Sequence, residues 1–349
     1  MQEEQKREPF SFSGQGSEYF RIWIVNLCLT IVTLGIYSAW AKVRRLQYFY
    51  RHTSVAGASL DYHGNPIAIL KGRIVALILF GGYSIAGQFS PMIALAVFAL
   101  IMAVMPWLVV RSLRFRLHNT SYRGLRFSFR GKTGDGYVNF LLLPLASYLS
   151  LGFLWPLAHQ QITRYTRDNS RYGDQPFKFS AKAGKFYKPY MVLFGIFLLF
   201  IAIVGVIAAI IYSSGLARHL DSENSAAAMM AIFGVIGVFY LLLFLFATPY
   251  ITSRLQNLIW NNTTLGTLGF ESALRARDLF WILLSNVLLI IVTLGLFKPF
   301  ADIRMMRYKI ERMALLANDD LDTFIADREA EVSAIGEESA DIFDMDIAL

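Results

Sequence analysis

The residues best equipped for chemistry are basic or amide side chains set three apart, each pair a fixed distance after a proline. After Pro106 come Arg111 and Arg114; after Pro156, Gln161 and Arg164; after Pro249, Arg254 and Asn257; after Pro299, Arg304 and Arg307. Ala39, in place of a proline, precedes Arg44 and Gln47. A spacing of three puts both side chains on one helical face. A guanidinium binds a phosphate bidentately. Arg44, Arg111, Arg114, Arg164, Arg254, Arg304 and Arg307 are therefore candidate ligands for an anionic headgroup. The competing use of the same residues is snorkelling at the interface, which fixes orientation without a ligand.

A second polar set lies inside apolar stretches: Asn26, Thr33, Asn286 and Thr293. These could line a path or hydrogen-bond between helices. No spacing assembles a nucleophile, a base and an orienting group, so no enzyme is expected. The scattered histidines and the single Cys28 form no metal motif, and neither metal nor cofactor is expected.

The elements that must position these residues repeat with them. The first four pairs in chain order are followed by a helix-ending polar residue (Thr53, Asn119, Asn169 or Asn262), a glycine turn, and a short alternating stretch such as Phe127-Ser128-Phe129, while after Arg304 and Arg307 the pattern dissolves into the tail. Proline suits a first helical turn. Asn at the helix end suggests a left-handed cap, and Phe-x-Phe a half-buried strand. The chain thus reads as five helix-turn-strand modules, the outer two degenerate, which is the mark of internal duplication.

The chain has 349 residues, 55% of them hydrophobic and 17% charged, with a mean hydropathy of +0.45. This is a membrane composition. Uncharged runs lie at 22–39, 74–110, 137–158, 191–217, 226–253 and 279–297. The second is too long for one span of ~20 residues and divides at Gly87–Pro91. The expected fold is an all-α polytopic membrane protein with seven apolar segments and five surface modules. Its organisation would be an N-terminal strand and glycine turn over 1–20, a repeat-built membrane domain over 21–316, and an acidic tail over 317–349. From Asp319 onward the tail holds 11 acids and one base against 32 bases and 14 acids before it, and is expected to be disordered or to dock reversibly on the basic body.

Charge and span parity then conflict. The module loops are basic throughout, so the positive-inside rule puts all of them in the cytoplasm. Seven simple spans would instead split them between two sides. The conflict disappears if the segments broken at Thr33-Leu34-Gly35, Ser150-Leu151-Gly152 and Thr293-Leu294-Gly295 re-enter rather than cross. Re-entrant backbone must be shielded by protein, and seven spans are the alternative.

The stretches Ser13–Phe20, Thr33–Arg44 and Thr293–Gly295 resemble the YjgN-like family, across most of residues 10–315. That resemblance implies a bacterial inner-membrane protein and implies no activity or site residue; the tail after Asp319 falls outside it. Two functions from different classes fit: a passage or binding cavity for a small solute or lipid, and a non-transporting scaffold that binds anionic lipid or a protein partner at its cytoplasmic face. The bilayer, with anionic phospholipid, is the expected partner. Nucleic acid is not, for no nucleic-acid-binding motif accompanies the charge. Nothing in the sequence speaks to a homo-oligomer.

Overall fold

A computed structural model describes residues 6–213 and 225–317. The acidic tail beyond Ala317 lies outside the described residues.

The modules do what their short alternating stretches allow: they pair. Strands β3 (Thr53–Val55) and β4 (Ala58–Tyr62), β5 (Thr120–Tyr122) and β6 (Leu125–Phe129), β7 (Ser170–Tyr172) and β8 (Gln175–Phe179), and β9 (Thr263–Leu265) and β10 (Leu268–Ser272) form four hairpins. Each has a two-residue turn; Ala56-Gly57 and Arg123-Gly124 take positive φ at both positions, as tight hairpins of the twisted sheet require. The second strand of each hairpin pairs first with its own partner and then with the next module's first strand, as β4 does with β3 and β5.

The fifth hairpin is made from the two ends of the chain. Strand β11 (Met313–Ala317) pairs with β1 (Lys6–Pro9), and β2 (Ser11–Phe12) continues onto β3. All 11 strands therefore form one antiparallel sheet that closes on itself through Phe10. One backbone bond repeats around the ring. The residue leaving each second strand donates to the residue ending the next module's helix: Ser13 to His52, His63 to Asn119, Arg130 to Asn169, Ser180 to Asn262 and Ala273 to Arg312, at 2.8–3.0 Å.

The alternate residues facing the ring's axis are apolar. Val55, Tyr122, Tyr172, Leu265 and Leu315 from the first strands meet Leu125, Phe177 and Leu268 from the second, with Phe10, Phe127 and Phe270 packed against them. Phe177 stacks between Phe127 and Phe270 at 6.3 and 6.1 Å. Tyr172 and Tyr122 each donate to a carbonyl of the neighbouring module, Tyr122 O at 3.0 Å and Val55 O at 2.8 Å. The axis is a filled core.

Between successive β-hairpins the chain makes a helical hairpin, five among the described residues. Two are long: α3 (Pro66–Phe89) with α4 (Pro91–His118), and α8 (Ala183–Ser213) with α9 (Ser225–Trp260). Among the described residues these supply four helices long and apolar enough to cross a membrane. Three hairpins are short: α1 (Gly16–Val32) with α2 (Ser38–Arg51); α5 (Thr133–Tyr137), a π-turn (Val138–Leu142) and α6 (Leu143–Leu149) with α7 (Trp155–Asp168); and α10 (Ala276–Val292) with α11 (Lys298–Glu311). The 17 residues of α1 or α10 rise ~25 Å, short of the ~30 Å hydrocarbon core.

The expected all-α fold with seven apolar helices is therefore corrected to four spanning helices, three short hairpins and a closed sheet. Strands of two to five residues are too short to be stable singly, and the partner in the next module lies far away in sequence; the ring gives each of β3 to β11 two neighbours and joins β1 and β2, with one each, through Phe10. Two details also differ from expectation. Pro106 and Pro249 lie inside continuous helices rather than at helix starts, because the apolar run before them keeps the helix going through the lost backbone bond. Asn119 and Asn169 have φ −88° and −97°, not left-handed values. They cap instead through Nδ2, which donates at 2.8 Å to the carbonyl four residues back. Thr53, Thr120, Ser170 and Thr263 add a hydroxyl bond to the preceding turn, so the orphan carbonyls of these helix ends are satisfied.

Candidate functional site

The three short hairpins share a tip and a base. At the tip, Thr33, Ser150 and Thr293 accept a backbone N–H four residues on, from Tyr37, Leu154 and Phe297, at 2.9–3.0 Å. Leu34, Leu151 and Leu294 take φ near 50° and the following glycines φ near 90°. Leucine seldom occupies that region. Here all three are almost fully exposed, at 94%, 89% and 94%, at the end furthest from the sheet. At the base, a tyrosine of the returning helix bonds the backbone at the entry of the outgoing one. Tyr48 bonds Gln15, Tyr165 bonds Lys132 and Tyr308 bonds Arg275, at 2.8–3.0 Å for the closest contact of each. Tyr48 and Tyr308 also donate to Glu18 and Asp278. Burial pushes the Tyr48 hydroxyl up to about 12, so it stays a donor.

The candidate arginines do not converge. They take equivalent places around the ring, and several serve the fold. Arg114 and Arg307 donate to the carbonyls of Gly131 and Gly14, at 2.8 and 2.7 Å. Asn257 does the same to Leu274 at 2.9 Å, and Gln160 to Ala181 at 3.0 Å. Each bond ties a module helix to the exit of its own hairpin. Arg304 donates to Asn286 Oδ1 at 2.8 Å and Ser285 Oγ at 3.1 Å. Arg111 and Arg254 stand over the rings of Trp107 and Tyr250 at 5.7 and 5.8 Å, and Arg164 is exposed.

The four polar residues within apolar stretches are placed as follows. Thr33 and Thr293 shape the tips, as above. Asn286 is buried between α10 and α11, with Nδ2 to Ala301 O at 3.3 Å. Asn26, its counterpart in α1, is also buried, but its Oδ1 has no partner among the described residues.

Asn257 is the most heavily used of the carbonyl anchors. Its Oδ1 also accepts from Ser272 Oγ at 2.8 Å and Leu274 N at 2.9 Å. Asn257→Ala would strand a backbone N–H, a carbonyl and a hydroxyl. A loss of about 3 kcal/mol is expected, read as a lower unfolding midpoint in detergent; an unchanged midpoint would refute the anchoring role.

One groove remains open. It lies between α1 and α2, with a volume of about 500 Å³. Arg21, Arg44, Gln47, Arg51 and His52 line its polar side, and Ile22 and Val25 its apolar side. Arg44 stands over the Tyr37 ring at 5.7 Å. Arg51 Nε bonds Asp61 at 2.8 Å. His52 Nδ1 donates to Tyr48 O at 2.7 Å, and its Nε2 is 3.7 Å from Glu18. Of these, Arg44 and Gln47 were singled out by the repeated spacing. Arg21 could have been noticed as the charge that bounds the first apolar run, since nothing else interrupts residues 19–41. A second cavity of about 680 Å³ among α8, α9 and α10 is almost wholly apolar, with Arg277 among its lining residues. Among the described residues, no group of three or more His, Cys, Asp or Glu could hold a metal.

Four apolar helices long enough to span, carried with three short hairpins on one closed sheet, define a polytopic integral membrane protein. The chain belongs to the family described as bacterial protein of unknown function, DUF898, which it matches over residues 7–342. That match extends past Asp319, so part of the acidic tail falls within the family's pattern. The chain is 22% identical over 332 residues to the inner membrane protein YjgN of Salmonella typhimurium, covering 84% of each chain. It is 24% and 23% identical to proteins of the same name from Escherichia coli O157:H7 and K12, covering 89% of each chain in both cases. No solved structure matches it. It is a multi-pass protein of the bacterial inner membrane.

Proposed function

We propose that the protein is a non-conducting scaffold of the inner membrane that engages anionic phospholipid from its cytoplasmic side. The observation that carries this reading is the filled axis: the ring that gathers all five modules is packed with Tyr122, Tyr172, Phe127, Phe177 and Phe270 where a conduit would need water. Around that plug stand basic helices whose arginines lie over aromatic rings or reach toward the hairpin bases. A juxtamembrane base is worth about 1 kcal/mol toward an anionic surface, and these bases share one side.

The test is reconstitution into vesicles of phosphatidylcholine mixed with phosphatidylglycerol. Proton, potassium and small-solute fluxes are expected to equal those of protein-free vesicles. Protein re-extracted in detergent is expected to carry phosphatidylglycerol in excess of its share of the vesicle lipid. Gradient-driven solute flux, or lipid carried in the bulk ratio, would overturn the proposal.

A further inference from the structure

The internal repeat supplies its own control for the open groove. The α10–α11 hairpin is the counterpart of α1–α2, residue for residue: Asp278 for Glu18, Asn286 for Asn26, Thr293-Leu294-Gly295 for Thr33-Leu34-Gly35, Arg304 for Arg44 and Tyr308 for Tyr48. In α10–α11, Arg304 is spent within the hairpin, on Asn286 Oδ1 and Ser285 Oγ. In α1–α2 the serine is replaced by Val25. Asn26 Oδ1 is left buried with no partner among the described residues, and Arg44, lining the groove, turns to the Tyr37 ring. Two of the surrounding positions change in the same direction, while Arg307 and Arg312 correspond to Gln47 and His52. Trp281 and Glu311 of one hairpin correspond to Arg21 and Arg51 of the other. A neutral residue and an acid have given way to two arginines, and the arginine that was bound internally has been released.

We infer that the α1–α2 groove is a phosphate-binding site, held chiefly by Arg21 and Arg44. The inference rests on the anionic-lipid reading for its preferred source of phosphate, a phospholipid headgroup. Three features support it. Neither Arg21 nor Arg44 has an acidic partner among the described residues, whereas Arg51 is shared with Asp61. Both arginines stand at a similar height above the sheet, ~8–10 Å up their helices, where an interface would lie. Ile22 and Val25 form the apolar wall, and the exposed apolar residues Leu29 and Val32 continue the same face up α1 beyond them. A headgroup in the groove would thus have its phosphate between the guanidiniums and its acyl chains against α1. Gln47 Nε2, at the same lining, can donate to a phosphate ester oxygen.

The test uses the full chain purified in a phospholipid-free maltoside detergent. It is titrated in turn with phosphatidylglycerol in mixed micelles and with inorganic phosphate. Arg21→Gln with Arg44→Gln is expected to weaken binding at least tenfold, since hydrogen bonds to charged groups are the strong ones. Lys178→Gln, an exposed base on β8 outside the groove and away from the module helices, is expected to change it less than about twofold. Val25→Ser separates site from charge: it restores the serine of α10–α11, lets Arg44 close on Asn26, and should weaken binding severalfold at constant net charge. An unchanged unfolding midpoint accompanies each informative variant. Phosphatidylglycerol bound tighter than inorganic phosphate assigns a lipid headgroup; the reverse order assigns a soluble phosphate ligand and removes the lipid reading while the site stands. Phosphatidylglycerol binding by the double variant and by Val25→Ser within about twofold of the parent overturns the site, and leaves the lipid reading to the other bases. No phosphate or lipid binding by the parent chain overturns both.

Discussion

In intact cells, an impermeant thiol reagent is expected to leave cysteines at Ser59, Arg126, Lys178 and Thr264 unlabelled, and to label all four once the membrane is opened. The parent for these variants is Cys28→Ser, since Cys28 is exposed on α1. The four positions are exposed, one on each of four hairpins of the ring. A cysteine at Gln88, exposed in the last turn of α3 and at the end of that hairpin away from the sheet, is expected to be labelled from outside. The argument is geometric before it is electrostatic. β6 pairs with β7, β8 with β9 and β10 with β11, so no hairpin can be on the opposite side of the bilayer without breaking the ring. The sign of the side then comes from charge. Arg123, Arg126, Arg130 and Lys132 near one hairpin, and Arg171, Lys178 and Lys182 near the next, are the cytoplasmic pattern. Labelling of Lys178→Cys and Thr264→Cys but not Ser59→Cys in intact cells would sink the closed sheet. Labelling of all four with Gln88→Cys protected would keep the sheet and invert the orientation.

Much of this architecture is written in the sequence as repetition. The helix-ending polar residue, the turn glycine and the Phe-x-Phe stretch show where each hairpin falls, because each acts through local backbone chemistry, whereas Pro106 and Pro249 sit inside continuous helices and mark no start. What repetition does not carry is pairing. Val55 and Tyr122 sit in strands of three residues, and nothing near them in sequence says that Tyr122 OH will meet Val55 O. Length misleads as well: the apolar run at 22–39 looks like a span until Leu34 and Gly35 reverse it. The arginine spacing is equally legible and equally ambiguous. The same three-residue interval gives Arg307 a carbonyl and Arg304 a buried amide, while Arg44, in the same register as Arg304, faces an open groove. Which of these a given arginine does depends on one neighbour across the hairpin, Ser285 or Val25, and that neighbour becomes visible only when the two helices are laid side by side.

The split hairpin gives the second large effect. Removing residues 1–12 is expected to prevent stable assembly, whereas moving the termini elsewhere is not. Truncation takes away β1 and β2, and with them the partners of β11 and the outer partner of β3. Phe10 is lost from the plug, Leu315 and Ala317 face water, and Arg7 no longer reaches Glu271 at 2.7 Å. Lost ladder bonds and exposed core together put the cost on the order of 5 kcal/mol, a large part of a domain's stability. An apolar edge opened in this way also invites pairing between chains. The permutation asks whether the damage comes from losing the strand or only from altering the terminus. Lys6 and Ala317 are direct partners across the ladder, so an Asn-Gly turn can join them as in a tight hairpin. New termini can open between Arg123 and Gly124, at the tip of the β5–β6 hairpin. If the fifth hairpin is equivalent to the other four, the permuted chain has the same ring with its break two hairpins further on. Its unfolding midpoint in detergent should lie within a few degrees of the parent's, while the truncated chain should be aggregated or degraded. A stable, monodisperse truncated chain would mean that the sheet does not depend on its closure, and the filled axis would then lose its claim to be the core of the fold.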